Sequence, residues 1–548
     1  MPSGRATDLG FRCFHDHSIW APKKNSILHF VCGHKGSISI ECTQQLGAMS
    51  PTKNPGSALQ GRHGANNNPA VERQNAAVLH SCTLIRPSQK GFGMARRDFQ
   101  AVRDRFANDN GLPFGRLLSR EYVLSVLEGE GHAYRNRVFC PLVTLWGWLS
   151  QCLSQDKSLN EAVSRILAHR VATGLPACAA TSSSYSEARS RFPATVMQRM
   201  GKEIGRKVHD NADGSWNWRG RQVFLADGTG FTMPDTPENQ LAWPQSNRSP
   251  QGLGFPIMRA VALISLATGA VIDMAFAQYK GKGTGEINLL RSMLSGLNRG
   301  NVLVADRYYP SFATVAMLQD VGVDLVSISH HTRQVDFAAG HVLGPKDHIV
   351  DWHRPQGRSY IDPTVHAALP PTVKVREFAL AIEDRDGGKE EVIVVTTIAD
   401  PTIPQKELAD LYWARWNCEL DIRSIKHSLH MDVLRCKTPD MVRKEIWCHL
   451  LAYNLIRGTM VESAKRNDVL PRQLSIKGTM QAVESFTPAM MAIDGSETLY
   501  NALLATVSAH RVGNRPGRQE PRFKKRRPCW TDYMTIPRSK SKRRLAAK

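Results

Sequence analysis

An α/β fold is predicted by three stretches of the sequence. "QVFLADG" and "NVLVADR" are short apolar runs that each end in Ala-Asp, which places Asp227 and Asp306 at or near the carboxyl ends of buried strands. Between them, residues 257–267 and 270–279 read as two hairpin-like strands, and "GEINLLRSMLSGLN" reads as a helix. Ligands of open α/β sheets gather outside the carboxyl ends of the strands, so both aspartates lie where chemistry is expected.

The order of three strands, helix, strand, helix is that of a ribonuclease-H-like sheet. The strand "DLVSIS" follows, then a segment of short strand signals over about 330–400 containing the Pro-rich "DWHRPQGRSYIDP". The expectation is a catalytic domain over 216–465 with a β-rich insertion at about 330–400, then a helical region over 466–509. A helical DNA-binding domain is expected to precede it over 94–215. There "FCPLVTLWGWLSQCLS" reads as a buried helix, and "SLNEAVSRILAHR" opens with Ser158 and Glu161 at capping-box spacing. The next helix carries Tyr185, Arg189 and Arg191. A helix-turn-helix-like element between 155 and 192 would make Arg189 and Arg191 DNA contacts, and a plain bundle packed on the next domain fits equally well. Residues 1–93 are turn-rich without sustained periodicity and read as a poorly structured leader that need not be native.

Lys and Arg total 71 against 49 Asp and Glu, a net charge of +22, which favours a polyanionic partner. Residues 510–548 hold 14 Lys or Arg against Glu520 and Asp532 and read as a flexible basic arm. The longest apolar window, "AVALISLATGAVI", is broken by a Thr-Gly turn and flanked by Arg259 and Asp273, so it is a hairpin and not a membrane span. With no secretory signal core, the expected location is the cytoplasm, on the nucleoid. The eleven cysteines lack close pairing and fit a reducing compartment. Cys13, His15, His17, Cys32, His34 and Cys42 cluster without a C-x-x-C knuckle, a weak pattern for zinc.

The run "LYWARWNCELDIRSIKHSLH" at 411–430 carries the most specific signal. At about 100° per residue, Tyr412, Arg415, Glu419 and Lys426 share an arc of roughly 60° on one helix face. Leu411, Ala414, Cys418, Ile422, Ile425 and Leu429 form an apolar stripe beside it, so the charged stripe borders the core, as at a cleft. Glu419 is also four residues from Arg415 and Arg423, the spacing of ordinary ion pairs on a solvated helix. Two strand-end aspartates and a helix glutamate that converge would supply the hard oxygen ligands preferred by Mg²⁺ or Mn²⁺. Two such ions clamp the attacking and leaving oxygens of an in-line phosphoryl transfer.

Tyr412, Arg415, Glu419 and Lys426 match Y-x(2)-R-x(3)-E-x(6)-K at every position, and the chain thereby resembles the insertion-sequence-four family of bacterial DDE transposases. "ADGTGFTMPDTPENQLAWPQ", "GLGFPIMRAVALISLATGAVI", "GKGTGEINLL" and "VADRYYPSF" extend the resemblance in order, over roughly 100–530. Tyr308 stands where many members have glycine. The resemblance implies a DDE triad of Asp227, Asp306 and Glu419 holding two Mg²⁺ ions per site, replaceable by Mn²⁺, with no organic cofactor. It implies cut-and-paste transposition, DNA partners at element ends and target, and a homodimer in the synaptic complex. Tyr412, Arg415 and Lys426 would grip phosphates, and Trp352 is the candidate to stack a flipped base. Glu286 is the alternative third carboxylate should Glu419 be only an ion-pair partner. A catalytically inactive DNA-binding descendant and a ribonuclease-H-like nuclease are the competing functions.

Overall fold

The structure, a computed structural model, describes residues 11–16, 27–31, 114–135, 137–356, 361–384, 389–492, 497–513, 534–537, 540 and 543. Most of the leader, including His17, Cys32, His34 and Cys42 of its Cys/His cluster, and most of the basic tail lie outside the described residues.

Two short strands of the leader, β1 (Phe11–Asp16) and β2 (Ile27–Val31), pair with each other. Five helices follow: α1 (Arg120–Gly129), α2 (Pro141–Leu153), α3 (Leu159–Ala172), α4 (Ser183–Arg191) and α5 (Ala194–Asp210). Their starts are set locally. Ser119 Oγ accepts from the Tyr122 amide at 3.2 Å, and Ser158 Oγ accepts from the Glu161 amide at 3.1 Å, as the capping spacing predicts. Pro141 opens α2 at a position where a missing N–H costs nothing.

The sheet begins with β3 (Val223–Thr232). The six-residue α6 (Pro237–Ala242) leads to the antiparallel β4 (Ile257–Ser265) and β5 (Val271–Gln278). After α7 (Glu286–Arg291) comes β6 (Val302–Ala305), parallel to β3, then α8 (Phe312–Asp320) and β7 (Asp324–Ile328), parallel to β6. The predicted order of elements is therefore present. One placement differs: β3 continues five residues past Asp227 to Thr232, so this aspartate is mid-strand. Its parallel neighbour β6 stops at Ala305, which pairs with Ala226, so Asp227 and Asp306 follow paired residues at the same level of the sheet.

The 330–400 segment contributes β8 (His341–Gly344), β9 (Asp347–His353), α9 (Pro363–Ala368), β10 (Thr372–Asp384) and β11 (Lys389–Thr396). It extends the same sheet: β11 pairs antiparallel with β7, through Val394 opposite Ile328. The strand order is β2-β1-β10-β11-β7-β6-β3-β4-β5, with β9 on β10 and β8 on β9.

The chain then enters α10 (Gln405–Trp413) and α11 (Trp416–Arg423), the 28-residue α12 (Pro439–Arg466), and the closing helices α13 (Ile476–Ala492) and α14 (Glu497–Ala509). Helix α12 is buried around nearly its whole circumference, and its Asn454 explains how it is seated. The side chain accepts from the Val271 amide at 2.9 Å and donates to the carbonyls of Val271 at 2.8 Å and Gly201 at 3.1 Å. One amide thus satisfies the exposed backbone of an edge strand and ties it to α5. Gly205 permits this approach, since a Cβ there would lie 2.0 Å from the Val271 carbonyl oxygen. Val196, Met200 and Ile204 of α5 consequently share one core with Val261 and Ile272 of the sheet. No helix among the described residues is long and apolar enough to cross a membrane.

Candidate active site

Strand β3 and helix α11 meet through one guanidinium. Arg415 Nη1 donates to Asp227 Oδ2 at 3.2 Å and Nη2 donates to Glu419 Oε1 at 2.9 Å. The side chains of Asp227, Arg415 and Glu419 are 19%, 15% and 32% exposed, so the cluster is recessed but open to solvent. An i,i+4 pair is present, as the bland reading of Glu419 required, yet its arginine is shared with a strand aspartate 188 residues away. Asp306 follows the last residue of β6. Its carboxylate accepts from the Arg307 amide at 2.7 Å, and its carbonyl accepts from Ser327 Oγ at 3.1 Å.

The charges are unevenly matched. Burial pushes the Asp227 carboxyl up to about 7; Arg415 opposes this, and the neighbouring charges of Glu419 and Asp306 add to the rise. Burial also opposes the charge on Arg415, but Tyr412, Asp227, Glu419 and Asp306 more than offset it and hold that guanidinium above its ordinary value. The Tyr412 phenol, buried beside Arg415, is pushed up to about 12 by burial. Three carboxylates around one arginine leave a surplus of negative charge, the electrostatic condition that a hard cation satisfies.

The 411–430 run is not one regular helix. The Arg415 amide bonds the Tyr412 carbonyl at 2.9 Å and the Cys418 amide bonds the Arg415 carbonyl at 2.8 Å, both tight three-residue steps between α10 and α11. The run then widens into a π-turn over Ser424–Ser428. A uniform angular step therefore misdescribes the path, although Leu411, Cys418, Ile425 and Leu429 of the apolar stripe are all buried as expected. The wide turn carries Lys426 to β3, where Nζ donates to the Gly230 carbonyl at 3.0 Å and to Thr229 Oγ1 at 3.3 Å. Burial lowers its ammonium below the usual lysine range. Its donors are thus held by a hydroxyl and a carbonyl of β3, two and three residues past Asp227.

Glu286, at the start of α7, belongs to the same neighbourhood. Its carboxyl carbon lies 2.3 Å from where a Cβ on Gly228 would stand, so the glycine after Asp227 is what lets it approach. It accepts from the Tyr309 hydroxyl at 3.4 Å and faces Arg259 at 3.9 Å. Sequence reading held Glu286 only as an alternative to Glu419; here it stands against Gly228, the residue after Asp227, while Glu419 shares Arg415 with Asp227 itself.

The remaining candidates lie elsewhere. Trp352 is buried in β9. Its indole N–H donates to Glu377 Oε1 at 3.1 Å, and the Arg333 guanidinium covers its ring at 3.5 Å. A base could stack there only after Arg333 left. Arg189 is buried, 4.0 Å over the Trp148 ring, with Nη2 3.6 Å from Cys436 Sγ, which is at odds with the DNA contact expected of it. Arg191 is exposed and 3.4 Å from Glu187.

Residues 218–455 match the family described as the transposase DDE domain. The chain is 26% identical over 365 residues to the transposase InsG for insertion sequence element IS4 of Escherichia coli strain K12, covering 63% of this chain and 79% of that protein. It is 35% identical over 65 residues to the transposase for insertion sequence element IS421 of Escherichia coli, covering 12% of this chain and 18% of that one. A solved structure described as a piggyBac transposase synaptic complex with hairpin DNA aligns at a TM-score of 0.38 and 9% identity, over 77% of this chain and 87% of that one. The match over 218–455 and the similarity to InsG define the class: a DDE transposase, an enzyme acting on DNA. Within that class its similarity is to the bacterial transposase InsG of element IS4.

Such enzymes imply a divalent metal. Among the described residues no three His, Cys, Asp or Glu side chains are gathered closely enough to hold one ion, because Arg415 stands between Asp227 and Glu419 and pairs with both. The chemistry of the donor set nonetheless fits a hard cation: all the donors are carboxylate oxygens, and the Asp227 carboxyl, raised chiefly by burial and further by Glu419 and Asp306, is one whose charge a bound cation would stabilise.

Proposed function

We propose that this chain moves an insertion sequence by cut-and-paste transposition, using a ribonuclease-H-like sheet with Asp227, Asp306 and Glu419 as its catalytic carboxylates. The observation that carries the reading is the Asp227–Arg415–Glu419 bridge between β3 and α11, at the level where β6 delivers Asp306. Asp227, Asp306 and Glu419 would hold Mg²⁺, two ions per site. When bound, the metal supplies Lewis-acid activation of water and of the scissile phosphate. The chain's own residues bind and aim the DNA. Arg415 and Lys426 offer cations to the phosphates flanking the cut, and Tyr412, wedged against Arg415, fixes the direction in which that guanidinium points. Water displaces the 3′-oxygen at the element's end, and the freed 3′-hydroxyl then displaces a second 3′-oxygen in the target. A homodimer would bring the two ends together.

An inactive DNA-binding descendant is disfavoured, since a buried carboxyl pushed to about 7 burdens the fold and gives nothing to DNA binding. The test is strand nicking by the full chain on duplexes carrying the inverted repeats that flank its coding sequence, with Mg²⁺ or with chelator. Metal-dependent nicks leaving 3′-hydroxyls at the repeat ends are expected; their absence would sink the proposal.

The grip of Lys426 is separable from the chemistry. Lys426→Ala should weaken binding to all DNA sequences alike and reduce the slope of log affinity against log salt by about 0.9, the value for one lost phosphate contact. A salt titration of end binding checks this. An unchanged slope would mean that Lys426 serves only to hold β3.

A further inference from the structure

Helix α11 is gripped on two faces. Glu419 and Asp421 are two residues apart, about 200° around the helix, so Glu419 meets Arg415 toward β3 while the Asp421 carboxylate turns away from it. Asp421 is buried with an arginine on each oxygen: Oδ1 accepts from Arg457 Nη2 of α12, and Oδ2 accepts from Arg472 Nη1 at 3.0 Å. Both arginines continue to the turn between β4 and β5. Arg472, in the short turn after α12, donates through Nε to the Leu266 carbonyl and through Nη2 to the Ser265 carbonyl at 2.9 Å. Arg457 lies against Gly269, where a Cβ would stand 2.6 Å from its guanidinium carbon, and its Nε donates to the Tyr453 hydroxyl at 2.9 Å. Strand β4 in turn pairs with β3, Ala262 opposite Asp227. Helix α11 is thus tied to the strand of Asp227 by two routes, one through Arg415 inside the site and one through Asp421, Arg472 and β4 outside it.

The two routes differ in what DNA does to them. When Arg415 turns to a phosphate, the direct bridge between Asp227 and Glu419 is broken. Helix α11 is only eight residues long and lies between tight three-residue steps and a π-turn, irregularities that interrupt the helix on both sides of it. The Asp421 clamp is independent of the phosphate. Parting a buried carboxylate from its guanidiniums leaves charges without water or partner, so the clamp holds while the bridge opens. We propose that Asp421 is a positioning residue: with Arg457 and Arg472 it keeps α11 against the sheet when DNA takes up Arg415, so that Glu419 stays where a divalent cation can use it together with Asp227 and Asp306. This inference rests on the proposed DNA-cleaving function and deepens it. Arg415 is free to move because Asp421 is not.

Asp421→Asn would strand two buried cations, so the test uses Arg472→Met, which frees α11 from β4 while Asp421 keeps Arg457 as its partner. The full chain, without DNA and at pH 8, is titrated with Mn²⁺ and the free ion is read by electron paramagnetic resonance, with melting in the absence of metal recorded beside it. Arg415→Ala should bind Mn²⁺ at least as tightly as wild type, since the carboxylates lose a competing cation and the clamp remains. Adding Arg472→Met to it should weaken binding about tenfold or more, the effect expected when the support of a metal ligand is removed. Ser158→Ala, which lowers stability by removing the cap of α3, should bind as wild type. Equal Mn²⁺ affinity with and without Arg472→Met overturns the inference alone, whatever the change in melting. So does an Arg415→Ala protein that binds tenfold more weakly than wild type, a Ser158→Ala protein weakened as much as the Arg472→Met one, or a wild-type protein that nicks DNA but binds no Mn²⁺ in its absence. A wild-type protein that neither nicks its ends with Mg²⁺ nor binds Mn²⁺ overturns this inference together with the function on which it rests.

Discussion

Glu419→Gln should abolish strand nicking while leaving binding to the element's ends intact. The amide keeps the length of the side chain and can still meet Arg415, now 2.9 Å from Glu419 Oε1, so α11 should stay in place. What is lost is one negative charge among three. Stabilisation by a metal-carboxylate centre is worth several kcal/mol at the transition state, and each ~1.36 kcal/mol is tenfold in rate, so a loss of about a thousandfold is expected. Asp306→Asn should fall by a comparable factor. Nicking and end binding measured side by side would decide it. If Glu419→Gln nicks at near the wild-type rate, Glu419 is an ion-pair partner and Glu286, which stands against Gly228, becomes the carboxylate to test.

Asp227→Asn should be equally inactive and yet more stable than the wild-type protein at pH 8. The carboxyl is raised from 3.8 to about 7 in the fold, chiefly by burial. The native state therefore holds a proton that the unfolded chain releases, and wild-type stability falls as pH rises from about 4 to about 7, then levels off. A tenfold change in proton affinity is worth about 1.36 kcal/mol, so the full cost is of order 4 kcal/mol. Asparagine carries no such cost, so the two melting curves should coincide near pH 4 and separate by pH 8, with the variant higher. Mg²⁺ should raise the melting temperature of the wild type at pH 8 and do little for the variant, because the ion would be stabilising a charge that only the wild type has. A variant that melts at or below the wild type at pH 8 would show that Arg415 already neutralises Asp227.

The parts of this protein that could be read from sequence are those governed by local periodicity. The strand that carries Asp227, the strand end before Asp306, the hairpin between them and the apolar stripe of 411–430 each leave their mark within about two dozen residues. The misplaced details depend on distant partners. Three-residue steps at Arg415 and a π-turn before Leu429 arise where the run must seat Leu411 and Ile425 in the core while delivering Lys426 to Gly230, a residue 196 positions away. Trp352 and Arg189 looked available because nothing near them in sequence announces Glu377 and Arg333, or Trp148. Glu286 had a faint sequence signal: the glycine at 228 makes room for it, but a glycine after a strand aspartate has many uses. Asn454 had none, and it is the residue that joins helix, helix and sheet edge.

The bridge from Asp227 to Glu419 also sets a timetable for the enzyme's biosynthesis. At bacterial elongation speeds of roughly 5–20 residues per second, the ribosome needs about 10–40 s to travel from one acid to the other. Throughout that interval the emerging chain carries Asp227, and later Asp306, without the helix that completes the set. A polypeptide whose synthesis stops anywhere before α11 could associate with nearby DNA through its positive charge and still be unable to cut it. On the proposed assignment of Glu419, strand breakage is thereby reserved for molecules whose translation has passed α11.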